Sequence, residues 1–177
     1  MTEVGVVGAG AGAAALSYVV DGTLPEAELT VLEKSGGLCG RAATRRHGDL
    51  TYDYGANYLK ADDERVDDLV DDVLGADGPI YTFDETGTVS EGRDSDDHRW
   101  SYEAGLTQIA KRLFAETDAA IHRRTRVETI HRSGDHWHLT DTDGERWGPF
   151  DALVMNPPAP QTATLIDEAD WDHDLRP

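Results

Sequence analysis

The sequence predicts an α/β fold, a parallel sheet alternating with helices into which an antiparallel β-meander is inserted. Three observations carry that expectation. The chain opens with Val4-Gly-Val-Val-Gly-Ala-Gly-Ala-Gly-Ala13, a β-branched run that turns through glycines into an alanine-rich helical pattern. Strand-like and helix-like apolar periodicities then alternate as far as Glu116. Closely spaced strand patterns follow from Ala120 to Trp147, with one more apolar strand, Asp151 to Met155, expected to be buried and ending at Asn156-Pro-Pro158.

Taken in order, residues 3–7 read as a strand, 11–20 as a helix and 28–33 as a second strand. Gly8, Gly10 and Ala13 have the Gly-x-Gly-x-x-Ala spacing of a dinucleotide-binding turn, and the acidic Glu33 follows about 20 positions on. Each residue type has a physical task. Gly8 permits the tight turn, Gly10 lets the backbone approach a pyrophosphate, and Ala13 keeps helix and strand close. The phosphates rest on free N–H groups at the helix N-terminus, where the macrodipole favours negative charge. Glu33 is placed to accept hydrogen bonds from a ribose. A βα turn that binds nothing explains the glycines but gives Glu33 no task. The parallel part is therefore expected to be a Rossmann-like, FAD/NAD(P)-binding fold.

Ser35-Gly-Gly-Leu-Cys-Gly40 reads as a flexible loop with glycines wherever backbone could meet a ligand. Thr44–Arg46 and Leu50–Tyr52 read as a hairpin around His47-Gly48-Asp49. Asp62 to Leu74 fits an amphipathic helix with Val66, Leu69, Val70, Val73 and Leu74 on one face. Its aspartates read as solvated rather than metal-binding, because no Gly-centred calcium loop accompanies them. Short strands and turns fill Ile80 to Tyr102, with a polar tip at Ser90–Arg99. Gly105 to Glu116 reads as a helix with Leu106, Ile109, Ala110 and Leu113 inward. Ala120–Arg124, Arg126–Arg132, His136–Thr140 and Arg146–Trp147 are the strands of the meander region, and a last helix is expected near Gln161–Ile166. His136 and His138 share a strand face but lack a Cys or carboxylate at ligand spacing. No metal site is expected.

The chain has 35 acids against 16 bases, a formal charge of -19. A nucleic-acid partner needs concentrated cations, so this balance argues against one. Only Lys34, Lys60 and Lys111 are lysines. Abundant aspartate with scarce lysine suggests a surface adapted to high salt, where screening tames self-repulsion, as in a halophile's cytoplasm. No basic leader or long apolar run is visible, so neither a secretory signal nor a membrane span is expected. The single Cys39 allows no internal disulfide and fits a reducing compartment. It reads as a small residue in a crowded loop, without a base to activate it.

The segment Val31-Leu-Glu33-Lys34-Ser-Gly-Gly-Leu-Cys-Gly40-Arg41-Ala-Ala-Thr-Arg-Arg46 resembles the stretch after the dinucleotide turn in flavin-dependent amine oxidases, and the renalase-like branch most closely. Asp53-Tyr-Gly55-Ala56-Asn57-Tyr58 is similar to that family's Asp-x-Gly-Ala-Gln-Tyr stretch. Tyr102–Gly105, the Arg126-Val127 strand and Phe150–Pro160 continue the resemblance. It implies FAD as cofactor. Gly8, Gly10, Ala11, Gly12 and Ala13 would line the pyrophosphate, and Glu33 the ribose, with Lys34 beside it. Arg41 would set a guanidinium against the pyrophosphate or adenosine end, next to Gly40. Val127 would pair main-chain groups with adenine, and Gly55, Ala56, Asn57 and Tyr58 would border the isoalloxazine. Cys39 stands where the family usually has glycine.

The resemblance also implies an organisation. Residues 1–60 would form the FAD-binding segment and flavin-proximal loop, 61–105 part of a substrate-domain insertion, and 106–177 the return to the FAD domain. Measured against the family, the fold is expected to be C-terminally truncated, lacking the return strands and a Gly-Asp motif. Three functions follow as expectations. The first is an FAD-dependent oxidoreductase, or its N-terminal half, passing hydride from an amine or dihydropyridine to flavin with O2 as oxidant. The second is an NAD(P)-binding dehydrogenase-like domain, and the third a non-catalytic nucleotide-binding module. Expected partners are a small-molecule substrate and either a separately encoded C-terminal half or a second copy of the chain. No residue is singled out as catalytic.

Overall fold

The structure, a computed structural model of the chain, describes residues 1–60, 63–75, 80–83 and 99–169. Its centre is a four-stranded parallel sheet in the order β12-β1-β2-β8, built from β1 (Thr2–Val7), β2 (Ala27–Glu33), β8 (Ala120–Arg123) and β12 (Ala152–Met155). The register pairs Val6 with Val31 on one side and Val154 on the other. Between β1 and β2 runs α1 (Ala11–Thr23), and α3 (Thr107–Ala115) leads into β8.

Side-chain alternation divides the sheet's neighbours into two layers. Val4, Val6, Leu29 and Val31 pack with Ala13 and Ala14 of α1 and with Ile109, Ala110, Leu113 and Phe114 of α3. Val7 and Leu32 point the other way, onto Val127, Ile130, Leu139 and Phe150 of an antiparallel sheet. That second sheet is the meander β9 (Val127–Ser133), β10 (His136–Asp141) and β11 (Arg146–Phe150). Gly5 sits where the two sheets touch. A Cβ there would meet the Phe150 ring at 2.8 Å, so the glycine sets how closely the layers approach.

Two smaller antiparallel sheets complete the fold. β3 (Thr44–His47) and β4 (Leu50–Asp53) form the expected hairpin. β5 (Leu59–Lys60), β7 (Arg99–Tyr102) and β6 (Ile80–Phe83) form the other, in that order. The polar tip expected at Ser90–Arg99 lies outside the described residues except for Arg99. α4 (Ala159–Asp167) follows β12, and its start is set by Pro158 at the N-cap and a proline in its first turn.

Three expectations change. The strand at 120–123 leaves the meander and joins the parallel sheet beside β2, because α3 returns the chain on the same side as α1. β12 is at the edge of the sheet among the described residues, so Leu153, Val154 and Met155 are only half-buried. The amphipathic helix at 62–74 is α-helical over Glu64–Leu69 (α2) and then π-helical over Val70–Leu74, with Asp62 outside the described residues. Its apolar face holds, since Val70 and Leu74 are buried while Asp68, Asp71 and Asp72 are exposed.

Candidate dinucleotide groove

The carboxyl ends of β1 and β2 open into a groove of about 1080 Å³. In α/β sheets ligands bind at this end of the strands, where helix N-termini gather. Gly8, with φ of 91°, turns the chain out of β1 in a conformation that a side chain would strain. Its N–H donates to the Leu32 carbonyl at 2.8 Å, which ties the turn to β2. The first helical bond of α1 runs from the Ala14 N–H to the Gly10 carbonyl at 3.0 Å. The N–H groups of Ala11, Gly12 and Ala13 precede it and have no intrahelical acceptor. Gly10, the N-cap, has no side chain with which to cap them. The Ala11 N–H faces Cys39 across the parallel bridge between Gly10 and Cys39, so an anion would find the N–H groups of Gly12 and Ala13 and the positive end of the dipole there.

Glu33 ends β2 and is 7% exposed. Its Oε2 accepts the Ala9 N–H at 2.8 Å, and its Oε1 accepts both the N–H and the hydroxyl of Ser35, at 2.7 and 2.6 Å. A carboxylate offers about four acceptor positions, so three are used by protein and one remains. The residue thus braces the glycine turn as well as lining the groove.

The Ser35–Gly40 loop folds back onto that turn. The Cys39 N–H donates to the Ala9 carbonyl at 2.9 Å, and a Cβ on Gly40 would lie 3.4 Å from the Gly10 Cα. Cys39 has φ of 78° and is buried, with Sγ donating to the Leu106 carbonyl at 3.4 Å. Burial pushes its thiol pKa up, which keeps it protonated and unreactive. Arg41 and Ala42 form a single 3₁₀ turn with Gly40, and the Arg41 side chain is exposed beside the groove. Behind it lies Gly55, where a Cβ would overlap the Arg41 carbonyl, and Ala56 donates its N–H to that carbonyl at 3.3 Å.

Of the residues singled out in the sequence, Gly8, Gly10, Ala11, Gly12, Glu33, Lys34, Gly40, Arg41, Ala56 and Val127 line one groove. Four do not. The Ala13 side chain is buried in the core between α1 and β1. Gly55 packs on the back of the Arg41 turn, and Asn57 is exposed away from the lining. Tyr58, 42% exposed, lies under the Arg99 guanidinium at 5.1 Å. Sequence reading missed Asn156 and Gln161, which reach the groove from the β12–α4 segment. Gln161 Oε1 accepts from Lys34 Nζ at 2.7 Å across it. It also missed the structural role of Asp53, whose Oδ1 accepts the Thr44 hydroxyl at 2.7 Å and the Leu106 N–H at 2.9 Å.

Residues 6–73 match the family described as NAD(P)-binding Rossmann-like domain. The match contains the glycine turn, Glu33 and the Gly40-Arg41 turn. Solved structures share the Rossmann-like fold over nearly the whole chain. An assigned protoporphyrinogen oxidase from Exiguobacterium sp. 255-15 superposes with a TM-score of 0.70 at 14% identity, covering 95% of this chain and 62% of that one. The CLA-producing fatty acid isomerase from P. acnes gives 0.69 at 16%, with 98% and 62% covered. The PF1083 protein from Pyrococcus furiosus gives 0.66 at 16%, with 93% and 61% covered. The chain therefore spans about three-fifths of each of these proteins. Among the described residues no helix is long and apolar enough to cross a membrane.

Proposed function

We propose that this chain is the cofactor-binding part of a flavin-dependent oxidoreductase, with FAD lying along the groove. The observation that carries this reading is the meeting of three features there: the open N-terminus of α1, the Glu33 carboxylate and the Gly40-Arg41 turn. The groove fits the group. Its volume of about 1080 Å³ is just above the usual range for ligand sites, and Gly40, with φ of 55°, lays the loop against Gly10 in a conformation that a side chain would strain. NAD(P) is the second reading, favoured by the description of the matching family. A plain nicotinamide fold needs neither Arg41 nor the 53–58 segment that buttresses it, which favours FAD.

Each groove residue has a task in this reading. The N–H groups of Gly12 and Ala13 hold pyrophosphate oxygens beside the Ala11 turn, and Arg41 adds a guanidinium to the same charge. Glu33 offers its remaining acceptor position to a ribose hydroxyl, and Lys34 stands beside it. Val127 presents main-chain groups to adenine. Ala56 borders the flavin end, and Gly55, Asn57 and Tyr58 support that end from outside the lining. When bound, FAD supplies hydride acceptance and reaction with O2; the protein supplies position and electrostatics. The resemblance to the renalase-like branch suggests an amine or dihydropyridine as donor. The partners proposed are that small molecule and further polypeptide, either a C-terminal half on its own chain or a second copy of this one.

The test is a parallel titration of FAD and NADH into the purified protein in concentrated salt, followed by visible absorbance and fluorescence. FAD is expected to bind with a shifted flavin spectrum, and Arg41→Ala to weaken it by about 1.5–3 kcal/mol, the range for a hydrogen bond to a charged group. A protein that ignores FAD yet binds NADH would overturn the flavin assignment.

A further inference from the structure

The turn from β12 into α4 brings a side chain to the glycine turn that the reading above does not use. The main-chain N–H of Asn156 donates to the Val7 carbonyl at 3.0 Å, which fixes the residue opposite the start of α1. Its amide lies across the mouth of that helix. A Cβ on Gly10 would come within 2.7 Å of Asn156 Nδ2, and one on Gly12 within 3.0 Å of Oδ1. Asn156 is half-buried and lines the groove.

The donor is underused. An amide nitrogen carries two N–H bonds, and among the described residues the acceptor of Asn156 Nδ2 is the Gly8 carbonyl at 3.4 Å, a long bond. A spare neutral donor thus stands beside the free N–H groups of α1, where the helix dipole already attracts an anion. An acceptor-only group in its place would meet the same anion with repulsion.

We propose that Asn156 is a further cofactor-binding residue, donating from Nδ2 to a pyrophosphate oxygen, and that its bulk is a second reason for glycine at positions 10 and 12. This rests on the dinucleotide reading and adds a contact from the opposite wall of the groove. The contact is specific to the diphosphate. Asn156 should leave binding of the adenosine end alone.

Isothermal titration with ADP and with adenosine, which differ in the diphosphate, tests it in the full chain. Asn156→Ala is expected to weaken ADP about tenfold, the low end for one hydrogen bond to a charged group. Asn156→Asp keeps the side chain's shape and adds a negative charge, and is expected to weaken ADP by about a hundredfold or more. Neither should change adenosine affinity or the thermal midpoint of the free protein by more than a small amount. Gly12→Ala should cost less ADP affinity when made together with Asn156→Ala than alone. Unchanged ADP binding in Asn156→Asp would overturn the proposal, as would an equal loss for ADP and adenosine. Wild-type protein that binds neither FAD nor ADP would overturn the dinucleotide reading itself, and this contact with it.

Discussion

Asp141 is buried at the turn between β10 and β11, where its carboxylate gathers three donors from the turn and the start of β11. Its Oδ2 accepts from Trp147 Nε1 at 3.0 Å, and its Oδ1 accepts the N–H groups of Glu145 and Asp143 at 2.9 and 3.0 Å. The Trp147 hydrogen bond, and then those backbone N–H groups, hold its pKa below the ordinary aspartate value. A carboxylate whose pKa is lower in the folded than the unfolded state stabilises the fold above the unfolded value, and that contribution disappears as pH falls through the folded one. Asp141→Asn should therefore lower the thermal midpoint at neutral pH, with the gap to wild type closing as acidification proceeds below the ordinary carboxylate range. A gap that stays constant with pH would contradict this assignment. At this scale the sequence was informative where one residue type has one task. Gly8 and Glu33 stand out by type and spacing, but the bonds from Ala9 and Ser35 to Glu33 do not, because only the fold brings those donors to it. Asn156 is similarly silent in the sequence, since an asparagine before Pro157-Pro158 reads as an ordinary turn residue.

Elements with strong periodicity were legible, and their contacts were not. α1, β2, the hairpin and α3 occupy the expected stretches to within a few residues. The strand at 120–123 has the same short alternation as the meander strands, so nothing local marks it as belonging to the parallel sheet. The joint between the hairpin and α3 was equally hidden. Thr44 and Thr107 exchange hydrogen bonds, Thr44 N–H to Thr107 Oγ1 at 2.7 Å and Thr107 N–H to Thr44 Oγ1 at 3.0 Å, with Asp53 Oδ1 completing the set. Gly105, with φ of 84°, leaves room for Thr44, which any side chain there would strike. Asp53→Ala should cost about 2 kcal/mol in urea unfolding, because two donors lose a charged acceptor. Both bonds end on the same oxygen, so Asp53→Asn can keep them and should cost much less. Equal losses for the two variants would show that the charge, rather than the hydrogen-bond geometry, holds the joint.

Across the whole molecule, charge is distributed unevenly. Acids outnumber bases by 35 to 16, yet the groove is lined by four basic residues, Lys34, Arg41, Arg45 and Arg126, against Glu33, Glu128 and Glu168. A locally cationic groove on an acidic protein concentrates an anionic ligand where the helix N-terminus points. The parallel sheet, covered by helices on one face and the meander on the other, holds the two strand ends that shape it. In the proposed function a dinucleotide binds there through its adenosine diphosphate half. Competition binding tests this most directly, with FAD bound in concentrated salt and then challenged with ADP or with riboflavin. One FAD should bind per chain, and ADP should displace it while riboflavin, which lacks the diphosphate and adenosine, should not. Displacement by riboflavin alone, with ADP inert, would contradict it.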